Sequence, residues 1–432
     1  MTKTFPYGAL LIVIIIVLAI DLYVYEGIKA ITSKLSSKFQ RKMIRRTYWV
    51  LNIGLMLMVA IGFMAFDRSK PPAIGLMRLL GFYFALLVPK LVYILFLAVE
   101  DIYRFLHGTA KRGFHLIYPP EDKSTVTYFP PRRKFISQLA LGVSALPFMS
   151  MLYGMSKGKY NYKLHRQTIY FPDLPDAFDG FTITQVSDIH SGSFDDMEGV
   201  MKGIRMVNAQ KSDLFVFTGD LVNNFAGEIL PWMEAFKSFD APFGKYSILG
   251  NHDYGDYSSW KSEQMKEENH EQLKQHHQTL GYRLLLNEHV ILKKDNQQIN
   301  LIGVENWGLG FKQKGDLSKA LKGSESSGFN ILLSHDPSHW DYEVKKREEH
   351  IHLTLSGHTH GMQFGIEIPG FKWSPIQMRY PKWAGLYEEK GKYLYVNRGF
   401  GFLGFPGRVG IWPEVTVITL KKGLVMPTSV IA

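Results

Sequence analysis

Several stretches of this chain are too apolar to remain in water, and that limits what it can fold into. Tyr7 to Tyr25 contains ALLIVIIIVLAI, Tyr48 to Phe66 contains VLNIGLMLMVAIGFMAF, and Ile74 to Val99 contains LLGFYFALLV and LVYILFLAV. Each is long enough to cross a hydrocarbon core as a helix, which takes about 20 residues. A fourth run, Phe135 to Tyr153 (FISQLALGVSALPFMSMLY), is less apolar. It reads as a further span, a signal-like segment or a helix on the membrane surface. Residues 1–153 are therefore expected to be a helical membrane region of three to four spans. The lipid bilayer is its partner, and a multi-pass protein of the cell (inner) membrane is the expected setting.

Charge placement orients these segments. Residues 26–47 carry seven basic groups (Lys29, Lys34, Lys38, Arg41, Lys42, Arg45, Arg46), and residues 100–134 carry another seven (Arg104, Lys111, Arg112, Lys123, Arg132, Arg133, Lys134). The intervening 67–73 has only Arg68 and Lys70. Basic loops stay in the cytoplasm, so the amino terminus is expected outside. If the fourth segment spans, everything after Tyr153 lies outside too. Arg132-Arg133-Lys134-Phe135-Ile136 has the look of a twin-arginine export signal, although it is internal, and simple positive-inside anchoring explains it as well. Asp21 and Lys90 fall inside spans. They read as a structural pair or a snorkelling lysine, or alternatively as part of a transport pathway.

The chain's net charge of +11 would ordinarily suggest a polyanionic partner. Residues 1–160 hold 21 Lys/Arg against 7 Asp/Glu, whereas residues 161–432 hold 29 against 32. The excess thus reports membrane topology, and the remainder offers no basic surface for nucleic acid. The absence of cysteine excludes disulfides, iron–sulfur clusters and thiolate zinc sites.

Beyond a short linker at 154–163, residues 164–432 change character. Apolar β-like runs alternate with polar helical stretches near 197–209, 228–239, 258–279 and 338–347, which implies a layered α/β domain. Polar ligand-type residues close successive runs: Asp188-Ile189-His190, Gly219-Asp220, Gly250-Asn251-His252-Asp253, Ser334-His335-Asp336 and His358-Thr359-His360. The carboxyl ends of strands are where α/β sheets build ligand sites. In Asp188-x-His190 and His358-x-His360, a period of two places both side chains on one side of an extended chain. Carboxylate, amide and imidazole donors without thiolate suit Mn, Fe or Zn. Asp188, His190, Asp220, Asn251, His335, His358 and His360 are too many for one ion. Two divalent ions bridged by a carboxylate would use them all. His270, His276 and His277, on a polar helix, are expected to be solvated, and His339, His350 and His352 structural or at the surface.

These five elements, in this order, resemble the calcineurin-like metallophosphoesterase family over roughly Leu164 to Leu420. YFPDLPDAFDGFTITQVSDIHSG and PEVTVITL are similar to its bacterial membrane-anchored branch. The resemblance implies a four-layer α/β/β/α sandwich. It implies that Asp188, His190 and His360 hold one ion, that Asn251, His335 and His358 hold the other, and that Asp220 bridges them. It places His252 beside the leaving group, with Asp253 as an orienting or stabilising carboxylate. It also implies hydrolysis by water of a phosphoester (phosphodiester, monoester or pyrophosphate), lipid and nucleotide esters being among those the branch takes. Where the branch often has Gly-Gly-Gln after the paired histidines, this chain has Gly361-Met362-Gln363, so the pocket wall differs. Arg398 and Arg408 are candidates for an additional phosphate contact, or else for ion pairing. The aromatic-rich 371–387 and 397–412 read as an apolar substrate rim or as loop packing.

Other functions remain open on the sequence. A cytoplasmic domain would favour a UDP-diacylglucosamine-type pyrophosphatase of lipid A synthesis. A scaffold could keep the metals without catalysis, and a transporter or receptor could use the domain for regulation.

Overall fold

All four apolar runs are continuous helices. The computed structural model describes residues 7–33, 35–118, 133–324 and 328–424. It places α1 at Tyr7–Thr32, α2 at Lys38–Met64, α3 at Ile74–Ile117 and α4 at Arg133–Ser156. Each of the four, the fourth included, is long and apolar enough to cross a membrane. Their outward faces carry exposed Leu11, Ile12, Ile15, Leu57, Leu95 and Leu146, a surface that only lipid would cover favourably. α3 runs past its apolar run, through 100–117, which was expected as loop. Glu100 and Arg104 face each other one turn apart there, 3.9 Å between charged atoms, and support the extension. Lys90 Nζ lies 2.6 Å from Asp21 Oδ1, which also accepts from the Tyr48 hydroxyl (2.8 Å). Asn52 Oδ1 is a second partner of the ammonium. Both charges are thus satisfied among α1, α2 and α3, the structural reading. Of the loop cations, Lys34, Lys123 and Arg132 lie outside the described residues.

The chain divides into two compact units, one of Met1–Phe66 with Arg78–Leu152 and one of Asp67–Met77 with Tyr153–Ala432. Residues 154–163 are no free tether. Gly154 to Ser156 complete α4, Gly158–Tyr160 forms a buried turn, and Lys163 opens a strand. Lys159 and the Tyr160 hydroxyl both bind the Asp195 carboxylate, at 2.7 and 2.9 Å, which fixes this entry to the domain.

The second unit contains β1 (Lys163–Phe171), β2 (Thr182–Val186), α5 (Met197–Asn208), β3 (Leu214–Phe217), α6 (Met233–Lys237), β4 (Lys245–Ser247), α7 (Glu263–Thr279) and β5 (Arg283–Leu284). It continues with β6 (Glu288–Lys294), β7 (Gln297–Gly303), α8 (Leu317–Leu321), β8 (Asn330–Leu333), α9 (Ser338–Tyr342) and β9 (Leu353–Ser356). It ends with β10 (Ile366–Ile368), β11 (Phe371–Trp373), β12 (Gly385–Glu389), β13 (Lys392–Val396) and β14 (Glu414–Lys422). One six-stranded sheet has the order β1-β14-β2-β3-β4-β5 and the other β12-β13-β9-β8-β7-β6, while β10 and β11 form a separate hairpin.

Alternation along the strands creates the layers. Leu214 and Val216 of β3 face Ile331, Leu333 and Leu355 of the other sheet, forming the core between the sheets. Phe215 and Phe217, one residue out of phase, pack outward with Val200, Ile204 and Val207 of α5 and Leu273 of α7. Leu332 and Leu394 pack outward on the opposite side with Leu317 of α8 and Trp340 of α9. The result is the α/β/β/α sandwich. Because the central strands are buried on both faces, they read as unbroken apolar runs. The helix expected at 228–239 is split: Pro231 lies in a 3-10 segment, Ala226–Trp232, and α6 follows.

Candidate dimetal centre

The central strands β2, β3 and β4 run parallel in one sheet, and β8 and β9 run parallel in the other. Their carboxyl ends therefore deliver side chains to common ends of the two sheets. Asp188 and His190 follow β2, Asp220 follows β3, Asn251 and His252 follow β4, His335 follows β8, and His358 and His360 follow β9. Hydrogen bonds join the sheets here, among them Gln185 Nε2 to Ser356 O (2.9 Å) and His335 Nδ1 to Thr218 O (2.7 Å).

The donor atoms converge in two groups. Asp188, His190 and His360 form one, with His190 Nε2 and His360 Nε2 3.0 Å apart and His360 Nε2 3.2 Å from Asp188 Oδ1. Asp220, His335 and His358 form the other. There His358 Nδ1 lies 2.8 Å from Asn251 Oδ1 and 3.3 Å from His335 Nε2. Asp220 Oδ2 reaches into both groups, 3.2 Å from His335 Nε2 and 3.5 Å from His190 Nε2. Ring nitrogens facing each other this closely, beside carboxylates, form a site suited to cations. Asp188 and Asp220 are fully buried, and their ion pairs among the described residues are all with histidines. A buried carboxylate needs a compensating positive charge. Burial would lower the His335 pKa, but Asp220 outweighs it and raises the imidazole to about 10. Burial drives His190 well below its usual range and His358 below it, leaving neutral rings with lone pairs to donate. The donor set fits two divalent ions.

The backbone turns sharply to aim these groups. Asp188, His190, Asp220, His358 and His360 all have positive φ, between 46° and 72°. For non-glycine residues this costs about 1–3 kcal/mol each, and such strain gathers at functional sites. Hydrogen bonds hold the turns in place. Both Asp188 oxygens accept the His358 N–H at 3.0 Å, and Asp220 Oδ1 accepts the His252 N–H at 2.8 Å. Gly250 leaves room for the Asp220 carboxylate, into which a Cβ would project.

His252 sits at the edge of the cluster, its ring centre 4.9 Å from that of His190. Its Nδ1 is committed to Asn223 O (2.9 Å), so Nε2 is the ring nitrogen left for a substrate. Asp253 does not touch that ring. Its carboxylate accepts the backbone N–H groups of Asp220 (2.9 Å), Leu221 (2.8 Å) and Gly250 (2.9 Å), so it orients the bridging loop rather than a leaving group.

The two candidate phosphate-binding arginines take other roles. Arg398 is buried, giving Nε and Nη2 to Glu367 (3.0 and 2.5 Å) and Nη1 to Glu414 (2.6 Å). Arg408 is fully buried, giving Nη2 to the Arg398 carbonyl (2.8 Å), with Nη2 also 3.2 Å from His360 Nδ1. Burying a guanidinium requires that its donors be occupied, which leaves these two unavailable to a phosphate. Arg408 instead packs behind His360 and donates Nη1 to that residue's backbone carbonyl (3.5 Å), so it positions a metal-facing histidine through its main chain. Tyr380 has the same kind of role and was not singled out from the sequence. Its hydroxyl bonds His358 Nε2 (2.9 Å) and donates to Asp336 (3.2 Å). His276 and His277 are buried, not solvated, and His277 Nδ1 bonds the Ser247 hydroxyl (2.9 Å). His270 is half-buried, its ring stacked 5.0 Å from Tyr254. His339 and His352 are buried and structural, and His350 is half-buried.

Beside the site, buried Glu228 braces the loop that positions His252 by accepting the Asn223 N–H at 2.5 Å. Burial outweighs that bond and raises its pKa to about 7. Below the ordinary glutamate value near 4.5, both folded and unfolded chains hold the proton and the group costs nothing. Between about 4.5 and about 7 the unfolded chain releases the proton while the folded chain keeps it, so stability is lost across that window and stays lost above 7, where the native state carries a buried charge. Glu228→Gln is therefore expected to raise the melting temperature of the chelator-treated protein at pH 8, by roughly 1–3 kcal/mol of stability, and to leave it unchanged at pH 4.5. Thermal melts of both proteins across this range check it.

Comparison with known proteins agrees with this geometry. Residues 8–159 match the family "Probable Calcineurin-like phosphoesterase, transmembrane domain", and residues 181–362 match "Calcineurin-like phosphoesterase". The uncharacterized metallophosphoesterase YkuE of Bacillus subtilis is 34% identical over 257 residues, covering 58% of this chain and 82% of that protein. Phosphodiesterase YaeI of Escherichia coli is 26% identical over 67% of this chain and 98% of its own length. A Danio rerio transmembrane protein with metallophosphoesterase domain is 29% identical over 63% of this chain, which spans 60% of that longer protein. The chain belongs to the calcineurin-like phosphoesterases, a family of metal-dependent hydrolases, and carries a transmembrane region ahead of the phosphoesterase domain.

Proposed function

We propose that this protein is a membrane-anchored phosphohydrolase that cleaves a phosphoester with two divalent ions, drawn from Mn, Fe and Zn. The observation that carries this is the placement of Asp220 Oδ2 between the two donor groups, with His252 Nε2 free beside them. Asp188, His190 and His360 would hold one ion, Asn251, His335 and His358 the other, and Asp220 both. When bound, the ions supply Lewis acidity, lowering the pKa of water and offsetting charge on the phosphoryl oxygens. The chain's own groups do the rest. Asp253 fixes the loop that carries Asp220, Arg408 positions His360 through its backbone carbonyl, and Tyr380 holds the His358 ring in orientation. With Nδ1 tied to a carbonyl, His252 takes up or releases a proton only at Nε2, where it would protonate the departing oxygen. The test is divalent-dependent hydrolysis of a chromogenic phosphodiester or monoester by the detergent-solubilised chain, with Asp220→Ala as control.

We further propose that the phosphoesterase domain faces away from the cytoplasm of the cell (inner) membrane. The two basic loops support this. So does the placement of Asp67–Met77, a poorly charged loop, in the same compact unit as the domain, where Arg68 O accepts the Ser259 N–H at 3.1 Å. Four spans put that loop and the domain on one side. Because the chain has no cysteine, Lys237→Cys introduces a single thiol on the domain surface. In intact cells it is expected to react with a membrane-impermeant maleimide, and labelling only after lysis reverses the assignment.

A further inference from the structure

The β10–β11 hairpin is built inside out. Its register pairs Ile366 with Trp373, Glu367 with Lys372 and Ile368 with Phe371. With a period of two, the four apolar side chains share one face and the two charged ones share the other. The charged face is tied to the domain, Glu367 to Arg398 Nη2 (2.5 Å) and Lys372 Nζ to Ala384 O (2.6 Å). The apolar face is left out: Ile366, Ile368, Phe371 and Trp373 are each between 47% and 58% exposed. Pro369-Gly370, with Gly370 at φ 77°, makes the tight turn that keeps this ribbon short. A two-stranded hairpin in water normally buries its apolar face, so a ribbon that spends a buried arginine on holding its polar face inward needs an apolar medium outside.

The hairpin's root shows which medium that is. Gly365, immediately before β10, donates to Val409 O (3.0 Å), and the neighbouring Arg408 donates to Gly154 O (3.2 Å) in the last turn of α4. Tyr153 and Trp412 pack edge to face beside it, with ring centres 5.8 Å apart. The hairpin thus springs from the point where a membrane-length helix ends, and aromatic residues of this kind favour the bilayer–water interface. We propose that the face formed by Ile366, Ile368, Phe371 and Trp373 inserts into the interfacial layer of the bilayer that holds the spans. The proposal rests on the membrane-anchored phosphohydrolase reading and adds a consequence to it. Residues 361–365 alone separate His360 from the hairpin, and Ser374, just after it, donates to Gly361 O (2.8 Å). Lipid contact is therefore made within a few residues of the metal ligands, which suits a phosphoester borne by an amphiphile.

The absence of cysteine makes the test direct. Phe371→Cys and Ile368→Cys, in the full chain, are labelled with an environment-sensitive fluorophore and reconstituted in phosphatidylcholine–phosphatidylglycerol vesicles. Lipids bearing a quencher high on the acyl chain are expected to remove about half of the emission at these positions and little from a label at Lys237→Cys. Equal, weak lipid quenching at all three, with full quenching by aqueous iodide, overturns the proposal. So does a label shielded from both quenchers whose emission falls as protein-to-lipid ratio rises, because a second copy would then cover the face. Hydrolysis of a soluble chromogenic ester in the same vesicles keeps the two readings apart. Turnover with an aqueous label sinks only the hairpin proposal, and a lipid-quenched label without turnover sinks only the phosphohydrolase reading.

Discussion

Asp220→Ala is expected to lower kcat/KM on any phosphoester this protein cleaves by about a thousandfold or more, equivalent to about 4 kcal/mol of transition-state stabilisation. Bound metal is expected to fall from two ions per chain to one or none. No other side chain in the cluster has a carboxylate oxygen facing both donor groups, at 3.2 Å from His335 Nε2 and 3.5 Å from His190 Nε2. Its loss removes one of two buried negative charges that would balance the cations, and frees the His252 N–H, now held by Oδ1. Asp220→Asn separates these effects. It keeps an acceptor for that N–H and the shape of the loop but not the charge. If charge is what matters, Asp220→Asn is expected to be nearly as inactive as Asp220→Ala while keeping the native circular dichroism spectrum. Metal analysis and steady-state rates on the three proteins decide the matter. Two ions per chain and an unchanged rate in Asp220→Ala would contradict the bridging assignment.

Much of this site was legible in the sequence because of where it sits. β2, β3, β8 and β9 are buried on both faces, so each reads as an apolar run that stops abruptly at its ligands. The edge strands were not legible. β1 and β12 carry charged or polar residues along one side, and β1 begins inside what reads as a linker. Nor was the burial of α7's histidines visible. His276 and His277 lie three and four residues after Leu273, a helical stripe that is legible afterwards, but the rest of α7 is polar enough to hide it. The fates of Arg398 and Arg408 depend on partners distant in sequence, such as Glu367, which no local pattern reveals. The same distant pairing hid the hairpin. FKW reads as a rim or as packing until Glu367 is seen gripping Arg398, which decides which face of the ribbon points outward.

His252→Gln should distinguish a proton donor from a structural residue by how its effect varies with the leaving group. A general acid contributes about a hundredfold to ten-thousandfold when the departing oxygen is a poor leaving group, and little when that oxygen is already stable as an anion. For an alkyl phosphoester, kcat is therefore expected to fall by about two to three orders of magnitude, while a nitrophenyl ester loses about tenfold or less. KM should change little for either. The substitution leaves the metal cluster intact for a specific reason. The contact from residue 252 to Asp220 is made by its backbone N–H, at 2.8 Å, and any residue but proline retains it. The side chain's own bond is to Asn223 O, outside both donor groups, so the glutamine variant is expected to bind two ions as the parent does. Plotting log kcat against leaving-group pKa for both proteins gives the answer. A steeper slope in His252→Gln is the signature of a lost proton donor. Parallel lines, or metal lost along with activity, would make His252 a positioning residue and leave the departing oxygen to be stabilised by the ions alone.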